Sequence, residues 1–241
     1  MLFFSSIKQV NFLDIMTNFD NNFSYIEINP PAEATHTIMW LHGLGADGND
    51  FVPLIEQLNL PKNHNVRFIF PHALVRPVTL NNNYPMRAWY DIYALTRDAK
   101  IDKTGIQHST QLIETLIQRE IEKGISGANI FLGGFSQGAA MALTIGLGFA
   151  KPLAGIMALS GYLPLADEVT ANAPAANKQI PIFLAHGTED TVVPFAAGEL
   201  TYKHLQKANY HVDWHTYPIA HSVSHPEIND IRAWIMKRLG L

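Results

Sequence analysis

Three residues in this chain are of the types that covalent acyl transfer requires. They are a serine in Gly134-Phe135-Ser136-Gln137-Gly138, an aspartate in His186-Gly187-Thr188-Glu189-Asp190, and His221, which follows Tyr217-Pro218-Ile219-Ala220. A serine hydroxyl is a weak nucleophile at neutral pH and needs a base to take its proton, a task suited to histidine. The histidine in turn needs a carboxylate that fixes its tautomer and stabilises the imidazolium formed during attack. The apolar run Asn129-Ile130-Phe131-Leu132 leading into Gly-x-Ser-x-Gly reads as a strand, a sharp turn and a helix. That pattern predicts a nucleophile elbow, with the Ser136 hydroxyl lifted clear of a sheet edge. Gly134 and Gly138 suit such an elbow, because strand and helix come too close there for side chains.

A tetrahedral intermediate carries an oxyanion that needs two aimed donors. The candidates are the backbone N–H of Gln137, directly after the serine, and that of Leu44 in the small-residue loop His42-Gly43-Leu44-Gly45. The chain order Ser136, Asp190, His221 is that of α/β-hydrolases and differs from the orders in chymotrypsin and subtilisin. Glu189 is the neighbouring rival to Asp190, and ten of the eleven histidines are rivals to His221. Of these, His186, His211 and His215 lie in or beside expected strands and His108 and His204 on expected helices, where packing or solvent roles are expected. His42, at a strand end, is expected to form structural hydrogen bonds, and Asp91, which precedes the serine, to fix its own loop. Trp89 and Tyr90 either contact an acyl chain or pack their loop down. No His-Glu-x-x-His spacing occurs, and neither a metal nor any other cofactor is expected.

These groups need a frame. Strands are predicted at 24–28, near a sheet edge, and at 37–41, 66–71, 129–132, 155–159, 180–185 and 211–217. Between them, Phe51, Leu54, Ile55 and Leu58 fall at helical spacing. A long helix is predicted from Thr104, capped by Thr104 and Gln107, with Ile106, Ile113, Leu116, Ile117 and Ile121 on one face and Gly124 as its stop. Further helices are expected after the elbow, near Pro194, and from a capping box of Ser224 and Glu227. Between His72 and Ile101 no period holds, and a connection of that length is usually functional or mobile. Strands alternating with helices predict an α/β fold, a mostly parallel central sheet flanked by helices on both faces. Ligands gather at the carboxyl ends of such strands, and Ser136, Asp190, His221 and the 42–45 loop all follow strands there.

Taken together, Leu41-His42-Gly43-Leu44-Gly45, Met86-Arg87-Ala88-Trp89-Tyr90-Asp91-Ile92, Gly134-Phe135-Ser136-Gln137-Gly138, His186-Gly187 with Asp190, and Tyr217-Pro218 with His221 resemble the carboxylesterase/phospholipase family that includes the acyl-protein thioesterases. The Arg-Ala-Trp-Tyr-Asp-Ile segment most resembles its bacterial carboxylesterase branch. The resemblance implies an α/β-hydrolase fold and a serine carboxylesterase acting on acyl esters or thioesters without a cofactor, with a lysophospholipase or acyl-protein thioesterase as the alternative. It also implies that Ser136, Asp190 and His221 form the triad, that Leu44 and Gln137 shape the oxyanion hole, and that the apolar loop carrying Leu80, Trp89 and Tyr90 borders the acyl site. Ala139 and Ala220 stand where many members have glycine, which is expected to narrow the site. A non-catalytic binding protein of this fold would lack a triad member, and none is missing.

Composition bounds the partners. With 47% hydrophobic and 16% charged residues and a formal net charge of -4, the chain is globular and offers no basic face to nucleic acid. The absence of cysteine excludes disulfides, thiolate metal sites and a cysteine nucleophile, and fits a cytoplasmic location. The longest apolar run, Gly138 to Ala150, is shorter than the ~20 residues that cross a bilayer and is expected to be a buried helix. Residues 1–20 are expected to be an extension, either an upstream segment before a start at Met16 or a short amphipathic helix, and 21–241 a single domain. The apolar positions of the 72–101 loop could pair two copies of the chain or touch a membrane surface peripherally, beside a small-molecule or lipid acyl ester as substrate.

Overall fold

A computed structural model describes residues 23–94 and 99–241; the expected extension over 1–20, and Leu95 of the long loop, lie outside the described residues. Strands apolar on both faces dominate its centre. The first three are β1 (Tyr25–Ile28), β2 (His36–Leu41) and β3 (Val66–Pro71), with the short helix α1 (Leu54–Leu58) between the last two. In β2, Ile38 and Trp40 join the core on one side of the sheet while Met39 and Leu41 join the core on the other. Burial on both faces is the mark of a parallel sheet covered by helices.

The chain then forms a hairpin of β4 (Val75–Val78) and β5 (Tyr84–Arg87), the long helix α2 (Lys103–Glu122), and β6 (Ile130–Phe135), which leads directly into α3 (Gln137–Gly148). The remaining elements are β7 (Gly155–Leu159), α4 (Ala166–Asn172), β8 (Ile182–Gly187), α5 (Phe195–Lys207), β9 (Val212–Tyr217) and α6 (His225–Leu239). Among the described residues, seven strands make one sheet in the order β1-β3-β2-β6-β7-β8-β9, with only β1 antiparallel, at the edge. Ile113, Leu116 and Ile117 of α2, Met141 of α3 and Leu205 of α5 pack with Met39, Leu132, Ile156 and Leu184 on one face. Leu54 and Leu58 of α1, with Ile231, Trp234 and Ile235 of α6, pack with Ile38, Phe68, Phe131 and Phe183 on the other. Burying each such side chain stabilises by roughly 1.5–3 kcal/mol, so neither face can be left uncovered.

The expected α/β architecture is observed, with three local differences. Helix α2 is capped not by Thr104 but by Asp102, whose Oδ1 accepts from the Gly105 N–H at 2.9 Å. Asp102 Oδ2 also accepts from the Asp91 N–H, so a contact from outside the helix sets where it begins. The aperiodic stretch after His72 contains the β4–β5 hairpin, in which Pro77 stands opposite Pro85. Its strands are largely exposed, so no buried face imposes alternation. Helix α4 lies in a stretch where no element was expected. As expected, Asp91 fixes its own loop, accepting from both the N–H (2.8 Å) and the hydroxyl (2.6 Å) of Thr79. Among the described residues, no helix is long and apolar enough to cross a membrane.

Candidate active site

Because β2, β6, β7, β8 and β9 run parallel, the segments that follow them meet at one edge of the sheet. Ser136 is the single residue between β6 and α3, and its backbone sits at φ 56°, ψ -119°. For a residue with a β-carbon that conformation costs on the order of 1–3 kcal/mol and persists only when its surroundings impose it. They do so here: the Ser136 N–H donates to the Leu159 carbonyl at 2.9 Å, and its own carbonyl accepts from the Ala140 N–H at 3.2 Å. The flanking glycines permit the approach. A β-carbon on Gly134 would stand 2.4 Å from the Gly138 carbonyl carbon, and one on Gly138 would stand 2.1 Å from the Leu41 carbonyl oxygen.

Asp190 follows β8 and is held by a turn of its own making. Its Oδ1 accepts from the backbone N–H groups of Val192 and Val193, both at 2.9 Å, and its Oδ2 lies 2.6 Å from His221 Nδ1. The carboxylate is fully buried while the imidazole is 16% exposed, so the acid is shielded from water and the base is reached by it. It is Asp190, and not its neighbour Glu189, that the structure brings to His221. The His221 ring lies 4.7 Å from the ring of Phe135, the residue before Ser136, which brings the imidazole beside the elbow. Among the described residues Ser136 Oγ makes no hydrogen bond. Catalytic contacts of this kind are often long until substrate is bound.

His42 has both ring nitrogens engaged: Nδ1 donates to the Gly43 carbonyl at 2.7 Å, and Nε2 accepts from the Ala73 N–H at 3.0 Å. Burial pushes its pKa down to about 4, so it is neutral and structural, as expected. His186 also lies in the core, 2.8 Å from the Val193 carbonyl and 3.5 Å from Asp190 Oδ2, and burial lowers its pKa too. The loop after His42 passes beside the elbow, since a β-carbon on Gly43 would stand 3.5 Å from Ser136 Cβ. The N–H groups of Leu44 and Gln137 have no acceptor among the described residues.

Trp89 and Tyr90 are 1% and 2% exposed, so their rings pack the loop down. The Tyr90 hydroxyl lies 3.1 Å from that of Tyr162. Leu80 is 37% exposed at the tip of the hairpin. Ala139 is buried in α3 and Ala220 faces solvent just before His221. Several contributors went unread in the sequence: the Val192 and Val193 donors, the Phe135 ring, Tyr162, and the side chain of Gln137. The first two have a signal, since an aspartate commonly bonds backbone two or three residues on, and the residue before an elbow serine is forced into the site. The others depend on distant partners.

The sequence profile of the Phospholipase/Carboxylesterase family matches residues 24–239. Acyl-protein thioesterase 1 of Yarrowia lipolytica is 38% identical over 222 residues, covering 89% of this chain and 98% of that protein. Carboxylesterase SOBER1 of Arabidopsis thaliana is 35% identical over 205 residues, covering 84% of this chain and 90% of that protein. The crystal structure of Arabidopsis SOBER1 superposes with a TM-score of 0.81 at 33% identity, covering 85% of this chain and 99% of that one. That of Zea mays acyl-protein thioesterase 2 gives 0.81 at 31%, covering 90% and 99%. With its sheet order, its strained elbow and these relatives in hand, the chain belongs to the phospholipase/carboxylesterase family of α/β-hydrolases, enzymes that cleave carboxylic esters.

Proposed function

We propose that this protein hydrolyses acyl esters and thioesters through an acyl intermediate on Ser136. Ser136 Oγ attacks the carbonyl carbon as its proton passes to His221 Nε2, and Asp190 holds the imidazole by its other nitrogen. The oxyanion that forms accepts from the N–H groups of Leu44 and Gln137. Collapse of the intermediate expels the alcohol or thiol, which takes the proton from His221. Water, activated by the same imidazole, then releases the acid and restores the serine. The observation that carries this reading is the 2.6 Å pair of buried Asp190 and His221 beside a serine held at φ 56°.

The test is kcat/KM across p-nitrophenyl esters from acetate to palmitate, with Ser136→Ala as the blank and fluorophosphonate labelling of Ser136 as a direct readout. Ser136→Ala is expected to lower kcat by at least about 10,000-fold and to abolish labelling. Wild-type rates from the variant at every chain length would refute the assignment.

A second reading, an acyl-protein thioesterase or lysophospholipase using the same residues, is favoured by the identity to acyl-protein thioesterase 1 of Yarrowia lipolytica and by exposed Val75, Leu80 and Tyr84 on the hairpin. These side chains would border a long acyl chain and meet a lipid surface or a second copy of the chain. In that case rates hold or rise towards palmitate and the protein sediments with liposomes. We read residues 21–241 as one hydrolase domain acting in the cytoplasm, a location consistent with a chain free of cysteine.

A further inference from the structure

The side chain of Gln137 is 3% exposed and takes no part in the chemistry above, which uses only its backbone N–H. Its amide instead grips the tryptophan loop. The Trp89 N–H donates to Gln137 Oε1, and Gln137 Nε2 donates to the Tyr90 carbonyl, both at 2.8 Å. From Trp89 a second strut crosses to the other donor loop: its indole Nε1 donates to the His42 carbonyl at 2.8 Å. The same two loops are joined once more by the Gly45 N–H, which donates to the Arg87 carbonyl at 2.8 Å. Ser109 of α2 bonds the Trp89 carbonyl from behind, and the indole rests 5.1 Å from the His42 ring.

The two oxyanion donors belong to segments far apart in the chain, and no covalent constraint sets their separation. The β2–β6 ladder ends at the pair Leu41 and Gly134, so Leu44 and Gln137 each lie three residues beyond the last paired position. We infer that the Gln137 side chain, acting through Trp89 and the His42 carbonyl, is a positioning device that sets the distance between the Leu44 and Gln137 N–H groups. The inference rests on the reading of those two groups as the oxyanion hole. Donors work there only within about 2.7–3.1 Å of where the oxyanion will be, and a misplacement of about 1 Å can cost roughly 100-fold in rate. The amide is suited to the task because it satisfies one buried donor and one buried acceptor of the loop at once, which fixes the loop in direction as well as distance.

The experiment compares Gln137→Ala, Trp89→Phe and Ser136→Ala with wild type on p-nitrophenyl butyrate. It measures kcat, KM, the Ki of a trifluoromethyl ketone whose serine adduct carries an oxyanion, and Tm. Gln137→Ala is expected to lower kcat by about 10- to 100-fold, with KM within about threefold and Ki weakened by the same factor as kcat. Trp89→Phe keeps an aromatic ring in the loop and loses the bond to His42, so it is expected to shift kcat and Ki in the same direction; it decides the matter if Gln137→Ala does not fold. Loss of Tm with unchanged kcat and Ki in the folded variants would make the network merely structural and overturn the inference. If Ser136→Ala were as active as wild type, the reading of the site would fall first. If Ser136→Ala were inactive while the other two variants kept kcat and Ki, that reading would stand and only the positioning role would fail.

Discussion

Glu227, in the first turn of α6 just behind the His221 loop, makes stability depend on pH. Its side chain is 1% exposed; Oε2 accepts one long bond from the Ser224 N–H at 3.3 Å, and Oε1 has no partner. A carboxylate at a helix N-terminus normally gains about 0.3–1 kcal/mol from the dipole. Here desolvation outweighs that gain, and with repulsion from Asp230 it pushes the Glu227 pKa up from 4.5 to about 7. Between those values the folded protein keeps a proton that the unfolded chain has released, so stability falls as pH rises through the window. The difference between 4.5 and about 7 corresponds to about 3 kcal/mol, less up to about 1 for the dipole. Gln in place of Glu227 is isosteric, keeps an acceptor for Ser224 and carries no charge at any pH. Thermal unfolding of wild type and Glu227→Gln at pH 5, 6, 7 and 8 reads the effect. The Tm difference is expected to be about 2–3 °C at pH 5, already above the unfolded value of 4.5, and to grow to about 5–10 °C in favour of the variant at pH 8, taking about 2–4 °C per kcal/mol for a domain of this size. A difference that does not change with pH, or a variant less stable than wild type at pH 8, would refute the reasoning.

Two further outcomes follow from the elbow and the acid. Asp190→Asn keeps an acceptor for the Val192 and Val193 N–H groups but turns an amide N–H towards His221 Nδ1, which moves the imidazole proton to the nitrogen facing Ser136. The expected loss in kcat is about 10,000-fold with little change in Tm, and steady-state kinetics beside a melting curve separates the two; a loss below tenfold would remove Asp190 from its role. Gly138→Ala would place a methyl group 2.1 Å from the Leu41 carbonyl oxygen and 2.6 Å from that of His42. It is expected to cost roughly 1–3 kcal/mol or more in stability and to lower kcat by displacing the donor loop. Unchanged Tm and kcat together would show that the close approach is dispensable.

Much of the frame was legible because the physics behind it is local. Strands such as Val66–Pro71 and Gly155–Leu159 must be apolar on both faces, and the elbow must have glycine where backbones nearly touch. The capping box of Ser224 and Glu227 lies within four consecutive residues and was readable for the same reason. Where a distant partner decides, the sequence is silent. Thr104 and Asp102 are both good caps by residue type, and partners from elsewhere in the chain, the Asp91 N–H and the Arg76 guanidinium 3.8 Å away, favour Asp102. Gln137 was identified through its backbone, while its side chain answers to Trp89 and Tyr90 forty-odd residues earlier. The hairpin escaped because two exposed strands with facing prolines bury no stripe.

The order of strands in the sheet also bears on when the protein can become active. β2 pairs with β6 across some ninety residues of chain, and His221 lies beyond β9, in the loop that leads to α6. Contacts this distant are slow to form because the entropy of closing the intervening chain is lost before they repay it. A chain emerging from synthesis carries Ser136 long before His221, so on the proposed mechanism it passes most of its assembly unable to attack an ester. Ester turnover during refolding is expected to lag behind the return of helix content, because it needs these distant contacts in place.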